Sequence, residues 1–451
     1  MAQASHLPER RGAFAHQPPR GRSGASRGRP ENRDRMATYI NYGEGEEDAV
    51  VQAAEWLRAW TAERDGSEAE EKFAEKFREL HDVDSAKDYD YYPIFELFMK
   101  TSGDFFENIP ENRLEERLKE VESFYAVVFS IMLMFDHQEQ IDEATRQLCE
   151  AFSAGTTHAE LRLRLLMMLY NTFYLPTLEI RYFVFKYVCD YAAKVGLFDQ
   201  MLPYLEYLDN WIVDWEKHMT ENDKRTLYRD LSKYMRDLKK PVDAFQYLKK
   251  YHLLLQGESA KCLEAPEVVE MTVQLLRDVI NIPTVIQFDD ILGYDTVKAL
   301  GKSKQHTDLV KLCGVFLSGT VNDLRDFHGK HKKLFEEHGL SYDDALSKIR
   351  LLALATLSHG RSELSLKEVA GVLQEDTDKI ERWVVRAISE GVIDGRIDQL
   401  EEKVLVKSAF QRKFEKEEWA FLDSRLSTWI SNLESVIKFV GDQKAARDLV
   451  A

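Results

Sequence analysis

His328, His331 and His338 in "HGKHKKLFEEH" come nearest to a metal-ligand set in this chain. Two histidines three residues apart on a helix share a face and could ligate zinc. Lysines interleave them, and no HExxH is present to supply a general base. The stretch therefore reads as an exposed polar helix end. Cys149, Cys189, Cys262 and Cys313 lie far apart and form no CxxC pair, so they read as buried, reduced thiols of an intracellular protein. There is no GxxxxGK[ST] loop to cradle phosphates and no GxSxG elbow to present a serine. Carboxylates are plentiful but pair in no recognisable pocket motif. The sequence predicts no enzyme, no catalytic residue, no metal site and no cofactor.

The elements around these residues are mostly helical. The chain has 451 residues and a formal net charge of −17, which argues against a general nucleic-acid binder. Residues 1–35 are the exception. They hold eight Arg against Glu9, Glu31 and Asp34, a net +5 that leaves −22 on the rest. With few aliphatics, such a stretch cannot offset its ordering entropy by burial. We expect a disordered Arg/Gly/Pro-rich tail over 1–40; an RNA-touching arm or an organelle transit peptide would share its composition. The longest apolar run, Phe124 to Phe135, is shorter than the roughly 20 residues of a membrane span and reads as a core helix.

From about Val50 the pattern is helix after helix. Ile180, Phe183, Val184, Tyr187, Val188, Tyr191, Ala192 and Val195 follow helical spacing, with Pro176 before and Gly196 after. Thr220, Asn222 or Asp223 offers an N-cap to the next stripe, and Pro241 suits a first helical turn. Serial amphipathic helices that can bury their faces only against neighbours favour a solenoid over 41–340.

Organisation changes at Ser341. Three helical segments lead to Gly391, the last of them carrying Ile380, Trp383, Val384, Ala387 and Ile388 on one face. In "VIDGRIDQLEEKVLVKS", apolar residues then alternate on both sides of a polar turn, which reads as a hairpin. Three helices and a hairpin over 341–410 make a winged helix. Its last helix and wing are slightly acidic: Asp376, Asp378, Glu381, Glu390, Asp394, Asp398, Glu401 and Glu402 face Lys379, Arg382, Arg386, Arg396, Lys403 and Lys407. Base readout wants the opposite balance. A protein-contacting wing, whose strand edge a partner strand can extend, fits better.

Residues 411–451 form one long helix, expected from about Gln411 to Val440. Trp419, Leu422, Leu426, Trp429, Leu433, Val436 and Val440 fall at alternating spacings of three and four, a heptad seam. Ile430, Ile437 and Phe439 flank it, where a two-stranded zipper would place charges; this favours an intermolecular bundle of several helices.

Helical repeats, a winged helix and a terminal helix together resemble the PCI domain, a module shared by the proteasome lid, the COP9 signalosome and eukaryotic translation initiation factor 3. Arg396, Ile397, Asp398 and Gln399 match the Lys/Arg-Ile/Leu-Asp-Gln tetrad of its ribbon. Trp211 to Trp215 ("WIVDW") and Lys348 to Ser358 ("KIRLLALATLS") are similar to segments of one initiation factor 3 subunit family. The resemblance implies an all-α scaffold subunit, cytoplasmic, that binds other PCI and MPN subunits and supports assembly on the small ribosomal subunit. It implies no membrane and no sequence-specific nucleic acid. A signalosome or lid subunit is the alternative. The interface residues it points to are the tetrad, Val404 and Val406 of the wing, and the seven seam residues.

Overall fold

A computed structural model describes residues 49–81, 90–103, 105–107, 109, 114–173, 179–413 and 416–448. The Arg-rich segment and Pro176 lie outside the described residues. The chain divides into two compact units, residues 1–52 and 53–451. Of the first, only the opening of the first helix is described.

The helices run α1 (Ala49–Asp65), α2 (Ser67–His81), α3 (Tyr92–Ser102), α4 (Leu114–Met132), α5 (Gln138–Ser153), α6 (Ala159–Thr172) and α7 (Glu179–Lys194). A 3-10 turn at Phe198–Met201 leads to α8 (Leu202–Leu205), α9 (Leu208–Trp215), α10 (Glu221–Asp237), α11 (Pro241–Leu253) and α12 (Ala260–Leu263). Then come α13 (Pro266–Asn281), α14 (Asp289–Leu292), α15 (Asp295–Lys302), α16 (Thr307–Ser318), α17 (Val321–Lys330) and α18 (Lys332–Glu337). The last section is α19 (Tyr342–Ser358), β1 (Glu363–Ser365), α20 (Leu366–Leu373), α21 (Thr377–Ser389), β2 (Ile393–Asp398), β3 (Lys403–Ala409) and α22 (Lys416–Asp448).

Local chemistry sets these boundaries. Thr220 opens α10 with a capping box: its hydroxyl accepts from the Asp223 N–H while the Asp223 carboxylate accepts from the Thr220 N–H. Pro241 occupies the first turn of α11, where no N–H is needed. Gly196 ends α7 at φ +74°, letting the Leu197 N–H reach back to the Ala192 carbonyl at 2.8 Å.

The apolar face of α7 differs from the expected stripe. Phe185 and Cys189 are buried, whereas Phe183 and Tyr187 are half-exposed. The "WIVDW" segment forms α9, in which Ile212 and Trp215 are buried and Val213 is exposed. Trp215 packs 5.3 Å from Phe185 and 5.9 Å from Tyr182. Phe124, Tyr125, Val128, Phe129 and Met132 of the long apolar run are core residues of α4. No helix among the described residues is long and apolar enough to cross a membrane.

The sheet has strand order β1-β3-β2, antiparallel throughout. β1 is the strand that the sequence did not announce. Three residues are too few for a period-2 signal, and Leu364 is its only buried position. Two further corrections concern the C-terminal end. Its helix begins at Lys416 rather than Gln411, and among the described residues it continues past Val440 to Asp448.

Candidate docking site at the wing and the last helix

The wing stands on a small core of its own. Ile380, Val384 and Ala387 of α21 meet Leu351, Leu354 and Ala355 of α19, Leu364 of β1, and Ile393, Val404 and Val406 of the hairpin. Gly391 stops α21 at φ +72°, and the Val392 N–H returns to the Ala387 carbonyl at 2.8 Å. The chain then enters β2. At Gly395 the ladder slips register by one residue, and a Cβ there would sit 2.4 Å from the Leu405 carbonyl oxygen. Only glycine fits so close to the neighbouring strand.

The tetrad builds the wing tip. Asp398 Oδ1 accepts from the Leu400 N–H (3.1 Å) and the Glu401 N–H (3.2 Å), closing the turn with its own side chain. Gln399 donates to Glu381 Oε2 at 3.3 Å and ties the tip to α21. Ile397 is half-buried against the winged-helix core. Arg396 is exposed, with no ion pair among the described residues. Leu400, which the sequence reading passed over, stands at the apex 97% exposed. Arg396, Ile397, Leu400 and Leu405 line a shallow cleft of about 470 Å³ at this tip.

Val404 and Val406, expected at the interface, are core residues. They lie on the central strand, on the face turned to the helices, at 0% and 9% exposure. Alternation along a strand separates two faces without telling which is inward. Among the described residues the free ladder edges belong to the outer strands, the short β1 and the longer β2, each of which pairs with β3.

The seam of α22 stands open. Trp419, Leu422, Leu426, Trp429, Leu433, Val436 and Val440 are all exposed, Trp429 at 71%. The flanking Ile430, Ile437 and Phe439 are exposed as well. A folded chain seldom shows so long a run of large apolar side chains to water.

Three buried cations, missed in the sequence, position the wing and the strand end that follows it. Lys348 of α19 donates to the Val279 and Ile282 carbonyls at the end of α13, the second at 2.7 Å. Burial pushes its pKa down to about 7. Arg350 donates to the Leu373 carbonyl, pairs with Glu375 at 2.7 Å and covers the Trp383 ring. Arg412 reaches the carbonyls of Phe316 (2.6 Å), Gly319 (2.9 Å) and Val315 (3.0 Å) at the end of α16. Burial lowers its pKa to about 10. Each donates to carbonyls at a helix end, where intrahelical donors run out. A Lys and an Arg inside the apolar run "KIRLLALA" were the available signal for the first two.

The histidine stretch does other work. His328 stacks on Tyr342 with ring centroids 4.1 Å apart, and His331 stacks on Phe327 at 4.5 Å. His338 Nδ1 accepts from Arg277, and burial followed by that guanidinium lowers its pKa. Among the described residues no three His, Cys, Asp or Glu side chains converge as a metal would need. Cys149, Cys189 and Cys313 are buried free thiols, and Cys262 is half-buried and also free. In a groove of about 630 Å³ beside α7, Asp190 accepts from the Tyr234 hydroxyl and Lys194 donates to the Ser153 carbonyl. Those polar groups serve the helix packing.

Residues 323–408 match the model of the PCI domain. Over 332 residues the chain is 27% identical to eukaryotic translation initiation factor 3 subunit M of Dictyostelium discoideum, covering 73% of this chain and 80% of that one. It is 28% identical over 323 residues to the protein of that name from Nematostella vectensis, covering 70% and 81%. The Homo sapiens protein of that name is 28% identical over 325 residues, covering 72% and 83%.

Proposed function

We propose that this PCI-domain protein, similar along most of its length to subunit M, is a scaffold subunit of eukaryotic translation initiation factor 3. Two surfaces carry its assembly. The wing offers a free strand edge on β2 and an exposed tip around Arg396 and Leu400. The last helix offers its seven-residue seam to a bundle with helices of other PCI and MPN subunits. The observation that carries this reading is the exposed seam: it is long and regular, and burial of such a face is the main source of affinity between helices. The protein works without catalysis, in the cytoplasm, and supports assembly of the factor on the small ribosomal subunit. Sequence-specific DNA reading is disfavoured by the mixed charge of α21 and the wing, where Lys407 pairs with Asp394 and Lys403 with Glu363.

Affinity purification of the tagged chain from its own cells, followed by mass spectrometry, tests the reading. Initiation factor 3 subunits should dominate the eluate in near-stoichiometric amounts. Lid or signalosome subunits in their place would overturn it.

A further inference from the structure

A local departure from the acidic character of this chain lies in the helical repeats. Residues 302–307 ("KSKQHT") and 328–333 ("HGKHKK") hold five lysines, three histidines and no carboxylate. The first segment joins α15 to α16, and the second joins α17 to α18. The fold brings them together: His331 Nδ1 lies 3.4 Å from Asp308 Oδ2, and the His306 and His338 rings are 6.5 Å apart. Thr307 donates to the Gly301 carbonyl at 3.1 Å and fixes the first turn.

Lys302, Lys304, Lys330, Lys332 and Lys333 are all exposed, and none has an ion-pair partner among the described residues. Asp308, which follows the first segment, is engaged by Lys311 at 2.9 Å and by His331. Asp326 on α17 and Glu336 and Glu337 on α18 flank the cluster without pairing to it. Five lysines left unneutralised on an acidic protein concentrate positive potential in one place. Beside them stand half-exposed rings in two stacks, His331 on Phe327 and His328 on Tyr342.

We propose that this surface binds single-stranded RNA through its phosphates, without reading sequence. Lysine ammonium groups on flexible stems meet phosphates as point charges, and planar rings offer a surface on which unpaired bases stack. An acidic peptide would use the charge but not the rings. That the strand is RNA rather than DNA rests on the translation-factor reading; the phosphate site itself does not.

The test uses the full chain and a fluorescein-labelled uridine RNA of roughly 20 nucleotides, measured by anisotropy across a potassium chloride series. The comparison is the Lys302→Gln/Lys304→Gln/Lys330→Gln/Lys332→Gln/Lys333→Gln variant. Each lost phosphate contact flattens the plot of log affinity against log salt by about 0.7 for single strands, so the slope should fall by about 3.5. Affinity at low salt should drop at least about tenfold. Ultraviolet crosslinking of the wild-type complex should map to peptides within residues 302–342. Equal isotherms for the two proteins, or crosslinks confined to residues 1–35, overturn the proposal. So does a glutamate-rich peptide binding as tightly as the RNA, which would make the surface an acidic-protein site. A labelled DNA of the same length binding tighter than RNA would remove the RNA assignment while leaving the purification result to judge the translation reading. Should the fivefold variant melt below wild type, the crosslink map decides alone.

Discussion

Trp429→Glu separates a helix that serves its own fold from one that serves an assembly. Trp429 is 71% exposed, so the isolated chain has little to lose at this position. Exposed substitutions away from caps and cores usually change stability by within about 0.5 kcal/mol. In a bundle, the still-exposed portion of the indole would be covered, on the order of 180 Å². At about 25 cal/mol per Å² that burial contributes roughly 4 kcal/mol. A glutamate in its place would also have to shed its hydration against apolar neighbours. A loss of about 4 kcal/mol weakens binding by roughly three orders of magnitude. The assay has two arms: thermal melting by circular dichroism on the isolated chain, and co-purification of partner subunits with tagged wild type or variant. The expected result is an unchanged melt with partners gone. A melt that falls by many degrees would show that the seam packs on its own chain. Partners retained in normal amounts would show that the bundle does not use it. Either result refutes the argument from exposure.

Three further outcomes follow from buried groups. Arg412→Ala should cost roughly 3 kcal/mol, because it leaves three carbonyls at the end of α16 without their charged donor; urea unfolding gives the loss, and faster hydrogen exchange after α16 locates it. Gly395→Ala should open the wing, its Cβ meeting the Leu405 carbonyl at 2.4 Å; exchange should quicken in β2 and β3 while α10 and α11 stay protected. Lys348 has a folded pKa lowered to about 7, below its ordinary value of about 10.4 when unfolded. Between those values the unfolded state binds the extra proton, so this group makes stability rise with pH above about 7 and adds no slope below it. Lys348→Met should remove that rise, read from urea midpoints at pH 7, 8 and 9; an unchanged slope would assign the dependence elsewhere.

Helices announced themselves because each carries a local signal. The capping box at Thr220 and the glycines after α7 and α21 act within a few residues, and sequence shows them directly. The hairpin was legible for the same reason, through alternation and the Asp398 turn. What stayed hidden depends on distance or on direction. Arg412 meets α16 across 93 to 97 residues of chain, and Lys348 meets α13 across 66 to 69. No periodicity encodes such meetings. Val404 and Val406 were seen as one face of a strand, but which face turns inward depends on where α19 and α21 pack against it. Leu400 escaped because an apolar residue in a turn has no periodic partner; its importance comes from where Asp398 holds it.

The buried cations and the exposed surfaces belong to one arrangement. A lysine or arginine whose hydrogen bonds end on helix carbonyls has few alternative places to stand, because leaving would strand both the charge and the carbonyls away from water. Lys348 therefore fixes α19, on which the wing is built, against α13. Arg412 fixes the end of the hairpin against α16, four residues before α22 begins at Lys416. The wing thus leaves the helical repeats from a defined point. A partner that meets the wing tip would meet it already oriented, so less freedom is lost on binding than if the wing hung on a loose linker. The stability built into the joint between α19 and α13 would thus serve affinity at a wing tip that the buried lysine never touches.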